Sequence, residues 1–294
     1  MKDQTFGIEI EMNGITRAKA AEVIAEHFGT RLTHVGGSYD TRVVYDPEGR
    51  PWKVVSDASI AGPYEERTEV VSPVCRWADI ETVQELARKL RAAGAKAHSS
   101  CGIHVHIGRG QHTAATLRNL VNMVNAKEDL LTLALGISGE RRERWCQPVD
   151  QDFLAQLNRR KPTNDDDFAK LWYREPDTCR CERRKREHYD HTRYHLLNLH
   201  SVFQKGTIEF RAFNSTLHAG KIKAYIQLAM AISDAALKSS YASPRRPVTD
   251  NPKYAFRCWL LKLGFIGDEF ETARQHLTQD LPGNSAWRHG GPAA

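Results

Sequence analysis

Apolar and polar residues alternate with a period of two at several places along the chain, and each run predicts a strand. In Phe6–Met12 the apolar side chains at 6, 8, 10 and 12 alternate with Gly7, Glu9 and Glu11, which puts both carboxylates on one face. Ile103, Val105 and Ile107 alternate with His104 and His106. Ile208, Phe210 and Ala212 alternate with Glu209 and Arg211 after the Lys205-Gly206 turn. Runs at 41–46 and 52–55 predict the arms of a hairpin around Asp46-Pro47-Glu48-Gly49-Arg50-Pro51, and residues 68–73 predict a short strand stopped by Pro73. A further ordered stretch is expected at 194–200.

Helical spacing fills the intervals. Residues 17–28 place Ala21, Ile24, Ala25 and Phe28 on one face, with Thr16 as N-cap and Gly29 as stop. A helix is expected at 78–93 before Gly94, and the longest at 113–135, where Leu117, Leu120, Val121, Val124, Leu131 and Leu135 form an apolar stripe ending at Gly136. Another, rich in alanine and isoleucine, spans 221–238. Residues 137–190 are charged and poorly periodic, with short helical pieces at 150–158 and 165–172, and read as an insertion or lid. Residues 242–252 hold three prolines and read as a linker, followed by an amphipathic piece at 254–263, a polar helix near 268–277 and a ragged tail. The expected organisation is one domain over 1–240, including that insertion, then a Pro-rich linker and short helical extension over 241–294. No internal repeat is present, and the P-loop pattern Gly-x-x-x-x-Gly-Lys-Ser/Thr is absent.

Composition adds limits. With 294 residues, 40% hydrophobic and 27% charged, the chain is an ordinary soluble globular protein. It has no apolar run long enough for a transmembrane helix, and no charged n-region followed by an apolar h-region, so neither a membrane span nor a signal peptide is expected. Cys75, Cys101, Cys146, Cys179, Cys181 and Cys258 are scattered in a chain large enough not to need staples, which points to reduced thiols and a cytoplasmic location. The net charge of +6 is concentrated in Arg141, Arg142 and Arg144, in Arg159, Arg160 and Lys161, and in Arg180, Arg183, Arg184, Lys185 and Arg186. Such a run is either a solvated face or a patch for a polyanion such as nucleotide phosphates, nucleic acid or a cell-wall polymer. The nearby aromatics Trp145, Trp172, Tyr173 and Tyr189 lack the spacing of a nucleic-acid module, so nucleic acid is not the expected partner.

The polar strand faces carry the candidate chemistry. Two like charges about 7 Å apart on one strand face repel unless cations or water lie between them. Glu9 and Glu11, Asp57, Glu69, His104 and His106, and Glu209 together offer mostly oxygen ligands with imidazole, a set that suits Mg²⁺ or Mn²⁺ better than zinc. Arg211, two residues after Glu209, stands where a transferring phosphoryl group needs its charge neutralised. Each pair also has a plainer reading: a solvated acidic face, a surface histidine pair or a His₂-carboxylate zinc or iron site, and a cross-strand salt-bridge ladder. Cys146, Cys179, Cys181, His188 and His191 could assemble a structural zinc site, but their spacing is not a standard knuckle and reads better as unconnected thiols and surface histidines.

The ordered set Phe-Gly-Ile-Glu-Ile-Glu (6–11), Ser-Asp-Ala-Ser (56–59), Glu-Val-Val-Ser-Pro (69–73), Cys-Gly-Ile-His-Val-His-Ile-Gly (101–108), Arg-Tyr-x-x-x-Asn (193–198) and Thr-Ile-Glu-Phe-Arg-x-Phe-Asn (207–214) resembles the amidoligase family. That family is a branch of the carboxylate–amine ligase superfamily, which includes glutamine synthetase and glutamate–cysteine ligase. The resemblance covers about 1–240, is loose across 147–190, includes Arg144-Trp145-Cys146, and departs from the family at Ala58, where glycine is more usual. It implies an α+β, glutamine-synthetase-like fold: a curved, largely antiparallel sheet with helices on its convex face, holding ATP and two or three Mg²⁺ (or Mn²⁺) ions on its concave face. Glu9, His104 and Glu209 would hold the nucleotide-side metal, and Glu11 and Glu69, with Asp57, the carboxylate-side metal. Arg211 would neutralise the moving γ-phosphoryl group, and Arg193, Asn198 and His106 would contact nucleotide or substrate. The implied reaction joins a carboxylate to an amine through an acyl phosphate, with peptide, protein and cell-wall groups as candidate substrates. Two alternatives stand beside it: a guanidino-kinase-like phosphotransferase on the same core, and a non-catalytic polyanion- or nucleic-acid-binding protein using the basic middle segment.

Overall fold

The alternation at Phe6–Met12 forms strand β1, whose Phe6, Ile8, Ile10 and Met12 are all buried. The structure, a computed structural model, describes residues 1–287. The tail expected after residue 287 lies outside the described residues. The chain divides into two units, one made of residues 2–106 and 213–227, the other of residue 1, 107–212 and 228 onward.

The first unit combines helices with an open antiparallel sheet. Its strands are β1, β2 (Leu32–Gly36), β3 (Thr41–Tyr45), β4 (Pro51–Val55), β5 (Thr68–Val71) and the first residues of β6 (Gly102–Gly108), in the order β2-β3-β4-β5-β1-β6. Helix α1 (Arg17–Phe28) packs on β3 and β4 and against α2 (Ile80–Ala92). Its ends are set by local chemistry: the Thr16 hydroxyl accepts from the Lys19 N–H, and Gly29 adopts φ 66° to return its N–H to Ala25 O. The β1–β5 register places Glu11 directly opposite Glu69, and Glu9 opposite Val71.

The second unit is built around α3 (Ala114–Ala134), whose expected stripe of Leu117, Leu120, Val121, Val124 and Leu131 is buried. The charged segment after it folds into α4 (Gly139–Arg144), α5 (Gln151–Arg160), α6 (Asp165–Tyr173) and α7 (Thr178–Arg186). An edge-to-face cluster of Phe153, Phe168 and Trp172 joins α5 to α6. Of the ordered stretch expected at 194–200, only β7 (Leu197–Asn198) pairs as strand. Its side chain ends it: Asn198 Oδ1 accepts the His200 N–H at 2.9 Å, turning the chain into α8 (His200–Gln204). β7 pairs antiparallel with β8 (Thr207–Asn214), most of which lies in this unit. Helix α9 (Ala219–Lys238) follows, its later residues belonging here.

Beyond α9 the chain runs extended, then forms α10 (Pro252–Lys262) and α11 (Glu271–Thr278). Pro252, expected within a linker, occupies the first turn of α10 behind the Asn251 N-cap, where its missing N–H costs nothing. The extended segment is pinned along α3 by the side-chain amides of Asn119, Asn122 and Asn125, which donate to the carbonyls of Ser239 (2.6 Å), Ala242 (2.9 Å) and Pro244 (2.7 Å). The Arg246 guanidinium completes the strap by donating to the buried Glu128 carboxylate. No described helix is long and apolar enough to cross a membrane.

Candidate active site

The polar faces of β1, β5 and β6 carry Glu9, Glu11, Glu69, His104 and His106, and these faces are not solvated: Glu11 is 4% exposed and His104 is 6% exposed. Strand alternation puts Glu9 and Glu11 on one face, and the antiparallel register brings Glu69 across from Glu11. Directly opposed like charges destabilise a sheet unless positive charge lies among them. Two imidazoles supply part of it. His104 Nδ1 donates to Glu9 Oε2 at 3.0 Å and His106 Nε2 lies 3.2 Å from Glu9 Oε1. Burial pushes the Glu9 carboxyl up, but the charge of His106 and the hydrogen bonds from His104 and His106 outweigh it and hold Glu9 well below the usual carboxylate range. His104 Nε2 lies 3.8 Å from Glu11 Oε1. Glu11 Oε2 also accepts the Gly102 N–H at 2.6 Å, which fixes that carboxylate against the start of β6.

Glu9, Glu69 and His104 each offer a ligand atom, and these atoms lie within 4.8 Å of one another. Donors each about 2.1 Å from one Mg²⁺ ion lie at most about 4.2 Å apart, so a small contraction would close the set. Two carboxylates and an imidazole match Mg²⁺ or Mn²⁺ by donor type. The residues present therefore fit the cation that the sequence resemblance implies.

Asp57 is not among the described residues whose ligand atoms come within 4.8 Å of one another. Its Oδ1 accepts the Ser59 N–H at 2.6 Å, and its carboxylate shapes the turn after β4.

In the second unit, Glu209 and Arg211 are buried neighbours on one face of β8, the Arg211 guanidinium donating to Glu209 Oε1. Asn198 donates its amide to Glu209 Oε2 at 2.6 Å while its Oδ1 holds the His200 N–H, so both ends of this side chain fix the carboxylate relative to β7. Arg193, in a tight turn, donates to His188 O at 3.1 Å and lies over the rings of Tyr189 and Tyr194. Two groups that periodicity does not single out meet at the Arg211 carbonyl: Cys146 Sγ at 3.0 Å and Arg141 Nη2 at 3.4 Å, the latter also 3.6 Å from Cys146 Sγ. Cys146 thus serves the backbone of β8, and among the described residues no grouping with metal-ligand spacing contains Cys146, Cys179, Cys181, His188 or His191.

Within the basic run Arg184 and Lys185 pair with carboxylates, and outside it Arg109 and Arg174 do. Arg184 binds Asp190 (2.8 Å), Lys185 binds Asp166 (2.8 Å) and Glu182, Arg109 binds Asp165 (2.6 Å), and Arg174 binds Asp150.

The sequence model of the family described as "Putative amidoligase enzyme" matches residues 2–233, most of the chain. The chain belongs to this family. Membership places this amidoligase among enzymes of the ligase type, and the matched span takes in the buried acidic and imidazole faces of β1, β5 and β6 as well as β8. No curated protein matches the amidoligase sequence.

Proposed function

We propose that this amidoligase is an ATP- and Mg²⁺- (or Mn²⁺-) dependent carboxylate–amine ligase with a glutamine-synthetase-like fold, acting on a carboxylate and an amine borne by peptide, protein or cell-wall groups. The single observation that carries the reading is the convergence of Glu9, Glu69 and His104 ligand atoms within 4.8 Å on rigid, buried strands. Glu9 and Glu69 supply negative charge, and His104 an imidazole nitrogen oriented by its bond to Glu9. Glu11, opposed to Glu69 and clamped by the Gly102 N–H, adds a third oxygen donor at the same strand face. A bound Mg²⁺ would withdraw charge from the phosphoryl oxygens it touches.

Glu209 and Arg211 enter through the resemblance of Thr207–Asn214 to the family motif. Arg211, a permanent cation, is suited to neutralise the γ-phosphoryl group, and Glu209 and the Cys146 and Arg141 contacts on its carbonyl hold it in place. In the reaction a substrate carboxylate oxygen bonds the γ-phosphorus and ADP leaves with the electrons of the broken P–O bond. The amine nitrogen then bonds the acyl carbon and loses a proton as phosphate departs. No side chain need form a covalent intermediate.

Calorimetry with MgCl₂ and a non-hydrolysable ATP analogue tests it. Saturable nucleotide binding that needs the cation is expected, and nucleotide binding indifferent to cation would overturn the reading. Glu9→Gln and Arg211→Ala should each lower ATP turnover at least about 100-fold with an unchanged circular-dichroism spectrum. Near-normal turnover in either would remove that residue from the site. Product analysis separates ligase from phosphotransferase: coupling releases phosphate and removes one water per bond formed, whereas a phosphotransferase leaves a phosphorylated product.

A further inference from the structure

A cavity of about 730 Å³ in the second unit is bordered by α3, the extended strap after α9, and α10. Met123 and Ala126 of α3 and Trp259 of α10 give it an apolar floor, and Lys127, Arg245 and Arg246 supply its charge. These cations differ in what they already hold. Arg246 is committed to Glu128, Asp129 and Asn125. Among the described residues no carboxylate pairs with Lys127 or Arg245. Lys127 is only partly exposed, and burial together with the charge of Lys262 depresses its ammonium below the ordinary lysine range. The strap that forms one wall is fixed by the Asn122 and Asn125 amides, so the cavity exists before any ligand arrives.

We propose that this cavity binds a small amphipathic carboxylate, its alkyl or aryl body on Met123, Ala126 and Trp259 and its carboxylate on Lys127 and Arg245. An anion there relieves the repulsion between Lys127 and Lys262, and the apolar floor gives the body a surface to leave water for. The volume falls in the range of small-molecule sites, about 300–1,000 Å³. The cavity contains none of the residues assigned to the ligase reaction, so its occupancy and that reaction can be tested separately.

Titration calorimetry of the full chain with sodium octanoate, 1-octanol and inorganic phosphate distinguishes the contributions. Octanoate is expected to bind at least about tenfold more tightly than octanol or phosphate, and Lys127→Met and Arg245→Gln each to weaken octanoate at least about tenfold. Lys127→Met should keep or raise the thermal midpoint, since it removes a partly buried charge, which separates lost binding from lost folding. Arg245 is exposed, and its substitution leaves the fold untouched. The proposal fails if octanoate does not bind at millimolar concentration. It fails equally if octanol or phosphate binds as well as octanoate, or if both variants bind octanoate like the parent chain.

Discussion

His112, just before α3, offers a quantitative test of how the second unit responds to acid. Its ring is 3% exposed, with Nδ1 3.1 Å from Thr116 Oγ1 and Nε2 2.9 Å from Ser233 Oγ. The Thr116 hydroxyl donates to Thr113 O and so accepts from His112 Nδ1–H, leaving Nε2 to accept from the Ser233 hydroxyl; a neutral imidazole, with one donor and one acceptor, satisfies both contacts. Burial, helped by the nearby Arg109 charge, lowers His112 from 6.5 to about 4. Above pH 6.5 the ring is neutral in both folded and unfolded chains, and pH has no effect through it. As pH falls through 6.5 the unfolded chain takes a proton that the native state refuses until about pH 4, so stability is lost across that window. The full loss is about 3 kcal/mol, of which about 2 kcal/mol has occurred by pH 5. Urea midpoints of the parent and His112→Gln at pH 7.5 and pH 5 measure it. Gln does not titrate and can still reach Ser233. The variant should be less stable by about 1 kcal/mol at the higher pH, through the lost second hydrogen bond. At pH 5 the difference should have shifted by about 2 kcal/mol in the variant's favour, leaving it more stable than the parent by about 1 kcal/mol. Equal pH slopes for the two proteins would refute the reasoning.

Other outcomes follow from contacts described above. Glu69→Gln should weaken Mn²⁺ binding, read by calorimetry, at least about tenfold, because it removes one of two carboxylates in the donor set. Asn198→Ala should lower ATP turnover while leaving Mn²⁺ affinity near that of the parent, since its amide holds Glu209 rather than the β1–β5–β6 grouping; an equal loss of both would contradict this. Arg246→Ala strands Glu128, which is 1% exposed on its side chain, and should destabilise the fold by about 3 kcal/mol in denaturant titration; Glu128→Gln in the same background should recover part of it.

The strands that hold the candidate site were legible because a period of two survives burial of both faces: β1, β6 and β8 lie where alternation places them. Helix α1 was legible to its caps, since Thr16 and Gly29 act through bonds three and four residues away. Strand β2 was not, because a mostly exposed edge strand with Val35 facing solvent has no buried face to impose a pattern. Helix α7 was missed for a related reason: Cys181 is its one buried residue, and Asp177 capping and ion pairs hold it instead. Within the site, alternation offered Glu9, Glu11, His104 and His106 together, but the depth of burial was invisible in it. The contacts of Arg141 and Cys146 on the Arg211 carbonyl join residues 70 and 65 positions apart, which no local pattern can encode.

The strap along α3 also bears on how the protein is made. The matched family span ends at residue 233, yet Asn119, Asn122, Asn125 and Glu128 inside it each bind a group in residues 239–246, some 120 positions later, in addition to the nearer partners Asn158, Gln151 and Val149 that the last three also hold. At the ribosome's pace of about 5–20 residues per second, these groups wait on the order of ten seconds after α3 is synthesised. Until then the Asn119, Asn122 and Asn125 amides lack their acceptors in the strap, and the seam is satisfied only in part, by residues 149–158 and by water. The strap is thus a completion step: a chain released short of residue 246 would contain nearly every residue of the family match and still lack the partners that close α3.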